Sequence, residues 1–210
     1  MSEGGWPLTT DRLWRILPVP VVLWFIVFGW KPWPFWDLMI PAMLVLLGIA
    51  WKLGGREFLR RPFTLSDVAL GVGSAVVLYA VFWVGNAVAP LILPGAHQDV
   101  GNVYGLKSGF SPWLVGAALV VVFGPAEASF WQGTVQAAWM HRYGKNLGWL
   151  LTSAFYAAIH TFSLNPMLVT AALVAGLGWG LLYRLTDRLW AVMISHSLWD
   201  LAILVLFPIR

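Results

Sequence analysis

Apolar runs long enough to cross a membrane recur along this whole chain of 210 residues. A helix of about 20 apolar residues crosses the roughly 30 Å hydrocarbon layer of a bilayer. Hydrophobic residues make up 60% of the chain and charged residues only 10%, which leaves no room for a soluble domain. The sequence therefore predicts an all-α, polytopic transmembrane helical bundle, with residues 1–210 forming a single integral membrane domain.

Clusters of proline and glycine divide the chain into about seven apolar spans. The longest breaks are GGREFLRRP over residues 54–62 and PGAHQDVGNVYGLKSGFSP over residues 94–112. The predicted spans are residues 16–30, 36–52, 66–93, 111–141, 146–163, 167–184 and 189–208.

The basic residues indicate how these spans are oriented. Cytoplasmic segments of membrane proteins carry an excess of Lys and Arg. With the N-terminus inside, ten of the thirteen basic residues are cytoplasmic, and only Lys31, Lys107 and Arg210 lie on the other side. We therefore predict an N-in, C-out orientation. The same asymmetry explains the formal net charge of +4 without a nucleic-acid partner.

Four ionisable side chains remain inside the predicted spans, namely Glu127, His160, His196 and Asp200. Each costs about 2.5–3.5 kcal/mol at the centre of a bilayer on insertion scales. They lie on three different helices, so we expect them to meet in one interior pocket where they can share hydrogen bonds. Such residues usually mark a functional site. The alternative is a polar cluster that only holds the helices together.

Local sequence adds two details to this pocket. Pro125 has no N–H to donate, and it predicts a kink in its helix just before Glu127. His196 and Asp200 are four residues apart, so both project from one face of the last helix. Asp200 can then accept a hydrogen bond from His196 and fix the tautomer of that ring.

Three chemistries fit a glutamate, two histidines and an aspartate in a dry cavity. The first is general-base activation of water by Glu127, assisted by the imidazoles. The second is a divalent metal bound by Glu127, His160 and His196, because two histidines and a glutamate can form a hydrolytic zinc site. The third is a proton or ion relay of a transporter. The chain has no cysteine, which excludes thiol nucleophiles and thiolate metal sites.

Three motifs stand in order along the second half of the chain: EASFWQG (127–133), YAAIH (156–160) and HSLWD (196–200). Together they resemble the CPBP family of intramembrane proteases, which includes the type II CAAX-prenyl endopeptidases and the bacterial Abi proteins. That family has EExxxRG, FxxxH and HxxxN or HxxxD at these places. The resemblance implies a CAAX-protease-like core in residues 111–207, preceded by N-terminal spans in residues 1–110.

The resemblance also implies a role for each of the four residues. Glu127 takes the place of the glutamate that activates water, and His160 takes that of the histidine that assists it. His196 and Asp200 take the positions proposed to hold the oxyanion or to orient the substrate carbonyl. The family resemblance favours a mechanism without a metal or other cofactor.

The chain departs from the family pattern at three positions. Ala128 replaces the second glutamate, Gln132 replaces the arginine, and Tyr156 stands where phenylalanine is usual. The missing acid and the missing base would be four residues apart on one helix face. Losing both members of a buried pair can be nearly neutral, so we interpret the first two changes as a compensated structural exchange.

The sequence thus predicts a hydrolase, a glutamate-dependent intramembrane endopeptidase in the cytoplasmic (inner) membrane of a bacterium. Its partners would be the lipid bilayer and a membrane-associated peptide or protein substrate. Two alternatives stay open. One is a decayed family member that serves as a membrane scaffold or immunity protein, and the other is a metal-dependent version of the same protease.

Overall fold

The computed structural model describes residues 10–55 and 61–209. These residues form helices and no β-strand, as the sequence predicts. In chain order the helices are α1 (Arg12–Trp30), α2 (Phe35–Leu53), α3 (Leu65–Ile92), α4 (Ala96–Gly105), α5 (Pro112–Tyr143), α6 (Lys145–Ile159), α7 (Pro166–Thr186) and α8 (Leu189–Leu206).

Six of these helices are long and apolar enough to cross a membrane: α1, α2, α3, α5, α7 and α8. The polytopic helical bundle predicted from the sequence is thereby confirmed. The predicted span 146–163 forms α6, which has 15 residues and continues as a 3₁₀ turn over His160–Ser163. At this length α6 is shorter than the six helices that could cross a membrane.

The connection over residues 94–112 is not simply a loop. It contains α4, a short helix that the polar and glycine-rich sequence did not indicate. Tyr104 of α4 donates a hydrogen bond to the carbonyl of Ile203 and accepts one from the backbone N–H of Ile209. These bonds tie α4 to the end of α8. The predicted N-in, C-out orientation stays a prediction, and three of the basic residues on which it depends, Arg56, Arg60 and Arg210, lie outside the described residues.

Helix α8 packs against α3, α5 and α7, and glycines allow the closest of these approaches. A Cβ atom on Gly71 of α3 would lie 2.9 Å from the carbonyl oxygen of Ala191. A Cβ on Gly124 of α5 would lie 2.8 Å from the backbone nitrogen of Ser197. Small residues at helix contacts are typical of membrane proteins, where close packing replaces the hydrophobic effect as the driving force.

Helix α5 contains two π-helical turns, Leu119–Phe123 and Trp131–Gln136, on either side of Glu127, whereas the kink at Pro125 stays a prediction. Pro125 follows the first turn and has no N–H to donate. The hydroxyl of Ser197 donates instead to the carbonyl of Val120, at 3.1 Å. The irregular stretch of α5 is therefore held against α8, and π-helical turns of this kind are frequent at functional sites.

A buried ion pair joins α3 to the connection between α7 and α8. The guanidinium of Arg188 binds both carboxylate oxygens of Asp67, which is fully buried, and it also donates to Thr64 and Pro62. The hydrogen bonds that Arg188 donates to Asp67 raise the pKa of its guanidinium. This pair therefore holds the beginning of α3 to the turn between α7 and α8.

We expect Gly124→Ala to destabilise the protein, because the added methyl group meets both the hydroxyl and the backbone of Ser197, and the backbone cannot move aside as a side chain can. Overpacking of this kind costs about 1–3 kcal/mol. Thermal unfolding in detergent would measure the effect. Gly73→Ala on α3 is the matched control, since nothing lies within 4 Å of its Cβ position. Equal melting temperatures for the two variants would contradict the close contact between α5 and α8.

Candidate active site

A cavity of about 560 Å³ lies between the core helices and is closed on one side by α4. Its walls are mainly apolar, and all eight helices from α1 to α8 contribute to them. All four ionisable residues singled out in the sequence line this cavity: Glu127, His160, His196 and Asp200. Each is at least nine-tenths buried. The structure therefore brings together side chains from three helices around one space.

Glu127 lies on the short stretch of α5 between the two π-helical turns and is 5% exposed. The hydroxyl of Tyr156, on α6, donates a hydrogen bond to Oε2 of its carboxylate at 2.6 Å. A phenolic donor to a carboxylate gives a short, strong hydrogen bond. One carboxylate oxygen is thereby held in place, and Oε1 is not part of that bond.

His160 lies at the end of α6, where the helix tightens into the 3₁₀ turn. Its Nδ1 is 2.7 Å from the backbone carbonyl of Tyr156. The indole N–H of Trp24, on α1, donates to Nε2 of the same ring at 3.1 Å. Both ring nitrogens of His160 are therefore hydrogen-bonded, and the side chain bonded directly to Glu127 is Tyr156.

His196 and Asp200 face each other along α8, with Nε2 of the imidazole 3.5 Å from Oδ2 of the carboxylate. The indole ring of Trp179, on α7, stacks on His196 with ring centroids 3.5 Å apart and planes inclined by 17°. The second ring nitrogen, Nδ1, is buried and has no hydrogen-bond partner among the described residues. The ring is thus fixed by stacking on one face and directed toward Asp200 at one edge.

Residues 109–202 match the family model described as "Type II CAAX prenyl endopeptidase Rce1-like". The matched segment contains all four residues of the cavity. This segment is a CAAX-protease-family domain. The family predicted from the three sequence motifs is confirmed, and it is a family of intramembrane proteases. Neither the curated proteins nor the solved structures include a significant match to this chain.

The position at which the CAAX-protease family has its second glutamate lies in a dry part of the bundle. Ala128 is fully buried and belongs to an apolar cluster with Trp179, Leu189 and Val192. A carboxylate at this position would be buried among hydrocarbon side chains, and it would be costly unless a basic side chain paired with it. Gln132, where the family has arginine, is 4% exposed and neutral. The paired loss of acid and base therefore leaves no unpaired charge at these two positions.

The residues present do not fit a metal centre of the usual kind. A zinc site needs three protein ligands close to one point. Among the described residues no three His, Asp or Glu side chains are grouped in this way. In addition, Nε2 of His160 accepts from Trp24, and Oε2 of Glu127 accepts from Tyr156, so one donor atom of each is already occupied.

Two residues of this site were not predicted as site residues from the sequence. Tyr156 was noted only as a departure from the family's phenylalanine, although its place four residues before His160 put both on one helix face. Trp24 gave no signal at all. It lies in the middle of the first span, 136 residues from its partner, and outside the matched segment.

We expect Tyr156→Phe to lower the free energy of unfolding by about 1–3 kcal/mol, because a buried carboxylate loses its donor while the ring is kept. Chemical or thermal unfolding in detergent would measure this loss. Tyr79→Phe is the matched control, since Tyr79 donates its hydroxyl to the carbonyl of Phe207 at an exposed place away from the cavity. A loss no larger than that of the control would argue against a strong bond to Glu127.

Proposed function

We propose that the protein is an intramembrane endopeptidase that hydrolyses a peptide bond in a membrane-associated peptide or protein. The observation that carries this proposal is the placement of Glu127. Its carboxylate lines an apolar cavity, has one oxygen held by Tyr156, and shares the cavity with two imidazoles and a second carboxylate. Membership of the matched segment in a protease family supports the same conclusion.

In the proposed reaction Glu127 acts first as a base and then as an acid. Its free carboxylate oxygen takes a proton from a water molecule while the water oxygen attacks the carbonyl carbon of the scissile bond. The electron pair of the carbonyl moves to its oxygen and forms a tetrahedral oxyanion. Glu127 then returns the proton to the amide nitrogen, the C–N bond breaks, and an acid and an amine leave.

The two histidines have different tasks in this proposal. His160 shares the proton of Glu127 through Nε2, the nitrogen that the indole N–H of Trp24 holds in place before the proton arrives. His196 polarises the scissile carbonyl through Nδ1, the nitrogen without a partner, once it carries a proton. Asp200 lies toward Nε2 of His196 and orients that ring. No step of this scheme requires a metal ion.

The cavity indicates the kind of substrate that would fit. Most of the side chains in its walls are apolar, and many of them belong to α3 and α7. An apolar wall favours uncharged side chains, so we expect the cavity to accept uncharged segments of a membrane-associated peptide. We further propose that the protein lies in the cytoplasmic membrane of a bacterium, in the N-in, C-out orientation given by its basic residues.

We expect Glu127→Gln to abolish hydrolysis, because an amide cannot take a proton from water at neutral pH. A suitable probe is an internally quenched peptide that carries a farnesylated CAAX sequence, mixed with protein reconstituted in vesicles. Its unprenylated counterpart tests whether the lipid is needed. Turnover should fall at least about 10³-fold, as expected for removal of an essential acid–base group.

Asp37→Asn provides the matched control, since it makes the same change of acid to amide at an exposed position of α2. Unchanged turnover in Glu127→Gln would eliminate this residue as the base.

A second function, that of a scaffold or immunity protein, is suggested by Ala128 and Gln132. It predicts that Glu127→Gln and His160→Ala leave the cellular phenotype of the gene intact. Elemental analysis of the purified protein would reveal a metal-dependent version, through an ion lost in His160→Ala.

A further inference from the structure

Helix α1 lies outside the segment that matches the protease family, yet it contacts one of the four cavity residues directly. Three of its aromatic side chains pack at the end of α6. Trp24 and Phe28 lie against the His160 ring with centroids 5.5 Å and 5.9 Å away, and Phe25 packs against Phe162 at 5.5 Å. The turn that carries His160 therefore packs against α1 through these aromatic side chains.

We propose that Trp24 is a positioning residue of the hydrolytic site, which holds His160 in one tautomer and one orientation. This inference rests on the proposed function, because it assigns a task to Trp24 through His160. It also extends the catalytic unit beyond the family domain to the first helix of the chain.

The tautomer follows from two independent hydrogen bonds. An indole N–H can only donate, so Nε2 of His160 must accept and carries no proton. A backbone carbonyl can only accept, so Nδ1 must carry the proton that is shared with Tyr156. Both contacts require the same neutral form, with the proton on Nδ1. The basic lone pair is thus placed at Nε2, the nitrogen that the proposed reaction uses.

A buried tryptophan in this protein does not need a hydrogen bond at its indole N–H in order to pack. Trp131, Trp179 and Trp199 are also buried, and their indole nitrogens have no hydrogen-bond partner in the described part of the chain. Trp24, by contrast, is fully buried with its N–H directed at a base. Its ring separately packs edge-on against Trp131, with centroids 6.4 Å apart. The hydrogen bond can therefore be removed while the aromatic packing is kept.

The positioning effect comes from the combination of two anchors on one ring. With Tyr156 alone, the imidazole is fixed only at Nδ1, and Nε2 is left as an unsatisfied acceptor in an apolar place. The ring can then tilt about its remaining bond. Misplacement of a reacting group by about 1 Å can lower a rate by about 10²-fold, even when the substrate still binds.

The test uses Trp24→Phe in the full chain, with Trp139→Phe as the matched control. Trp139 is also a buried tryptophan, and its ring packs against Phe155 rather than any of the four cavity residues. With the farnesylated peptide described above, we expect kcat of Trp24→Phe to fall about tenfold or more, with KM within about twofold. The control should retain the activity of the unchanged protein.

A second measurement does not depend on activity. In protein labelled with ¹⁵N at histidine and tryptophan, the Nε2 resonance of His160 should shift in Trp24→Phe. The indole resonance of Trp24 should shift in His160→Ala, and neither should move in Trp139→Phe. These spectra test the contact between Trp24 and His160 even if the unchanged protein cleaves no peptide. A lack of cleavage by the unchanged protein would contradict the proposed function and would leave this contact intact.

Two results would overturn the proposal. One is full retention of kcat in Trp24→Phe, which would leave Trp24 with a packing role. The other is a loss of kcat with an unchanged Nε2 resonance of His160, because the effect would then not pass through the imidazole.

Discussion

Lipid offers no hydrogen bonds, so every polar group in the hydrocarbon region of this protein has to find its partner within the protein. The structure meets this constraint at Glu127, at His160 and at the irregular turn of α5, whereas Nδ1 of His196 is buried without a hydrogen-bond partner among the described residues. The carbonyl of Val120, next to the irregular turn at Pro125, is bonded by the hydroxyl of Ser197. Glu127 accepts from Tyr156, and His160 is bonded at both ring nitrogens. The candidate site is the place where these buried polar groups converge on one cavity.

Close packing of α5 on α8 sets the geometry of the site. Gly124 lets the two backbones meet, and that contact lies one turn from Glu127 on α5 and one residue from His196 on α8. Stacking of Trp179 then fixes the His196 ring from the side of α7. The groups that face the cavity are therefore held by rigid helices rather than by loops, which favours precise positioning of reacting atoms.

The packing of the bundle explains how Ala128 and Gln132 can replace the acid and the base of the family's first motif. Ala128 lies among apolar side chains, where a lone carboxylate would be costly, and the neighbouring Gln132 carries no charge. Meanwhile Tyr156 provides Glu127 with a neutral donor that phenylalanine could not provide. The immediate partner of Glu127 is thus an uncharged donor, and the acid–base pair that the family pattern has next to this glutamate is absent from positions 128 and 132.

The sequence alone determined the all-helical class, the places of the long spans and the family, because these depend on composition, on Pro and Gly breaks, and on motifs read along one chain. It also named the four cavity residues, since charges are rare in apolar spans and stand out. Helix α4 escaped prediction because its sequence is polar and rich in glycine. Only the tertiary structure decided that Tyr156, rather than an imidazole, bonds to Glu127, and that Trp24 reaches His160 across 136 positions. Contacts between distant helices depend on how their faces pack, and no local pattern encodes that.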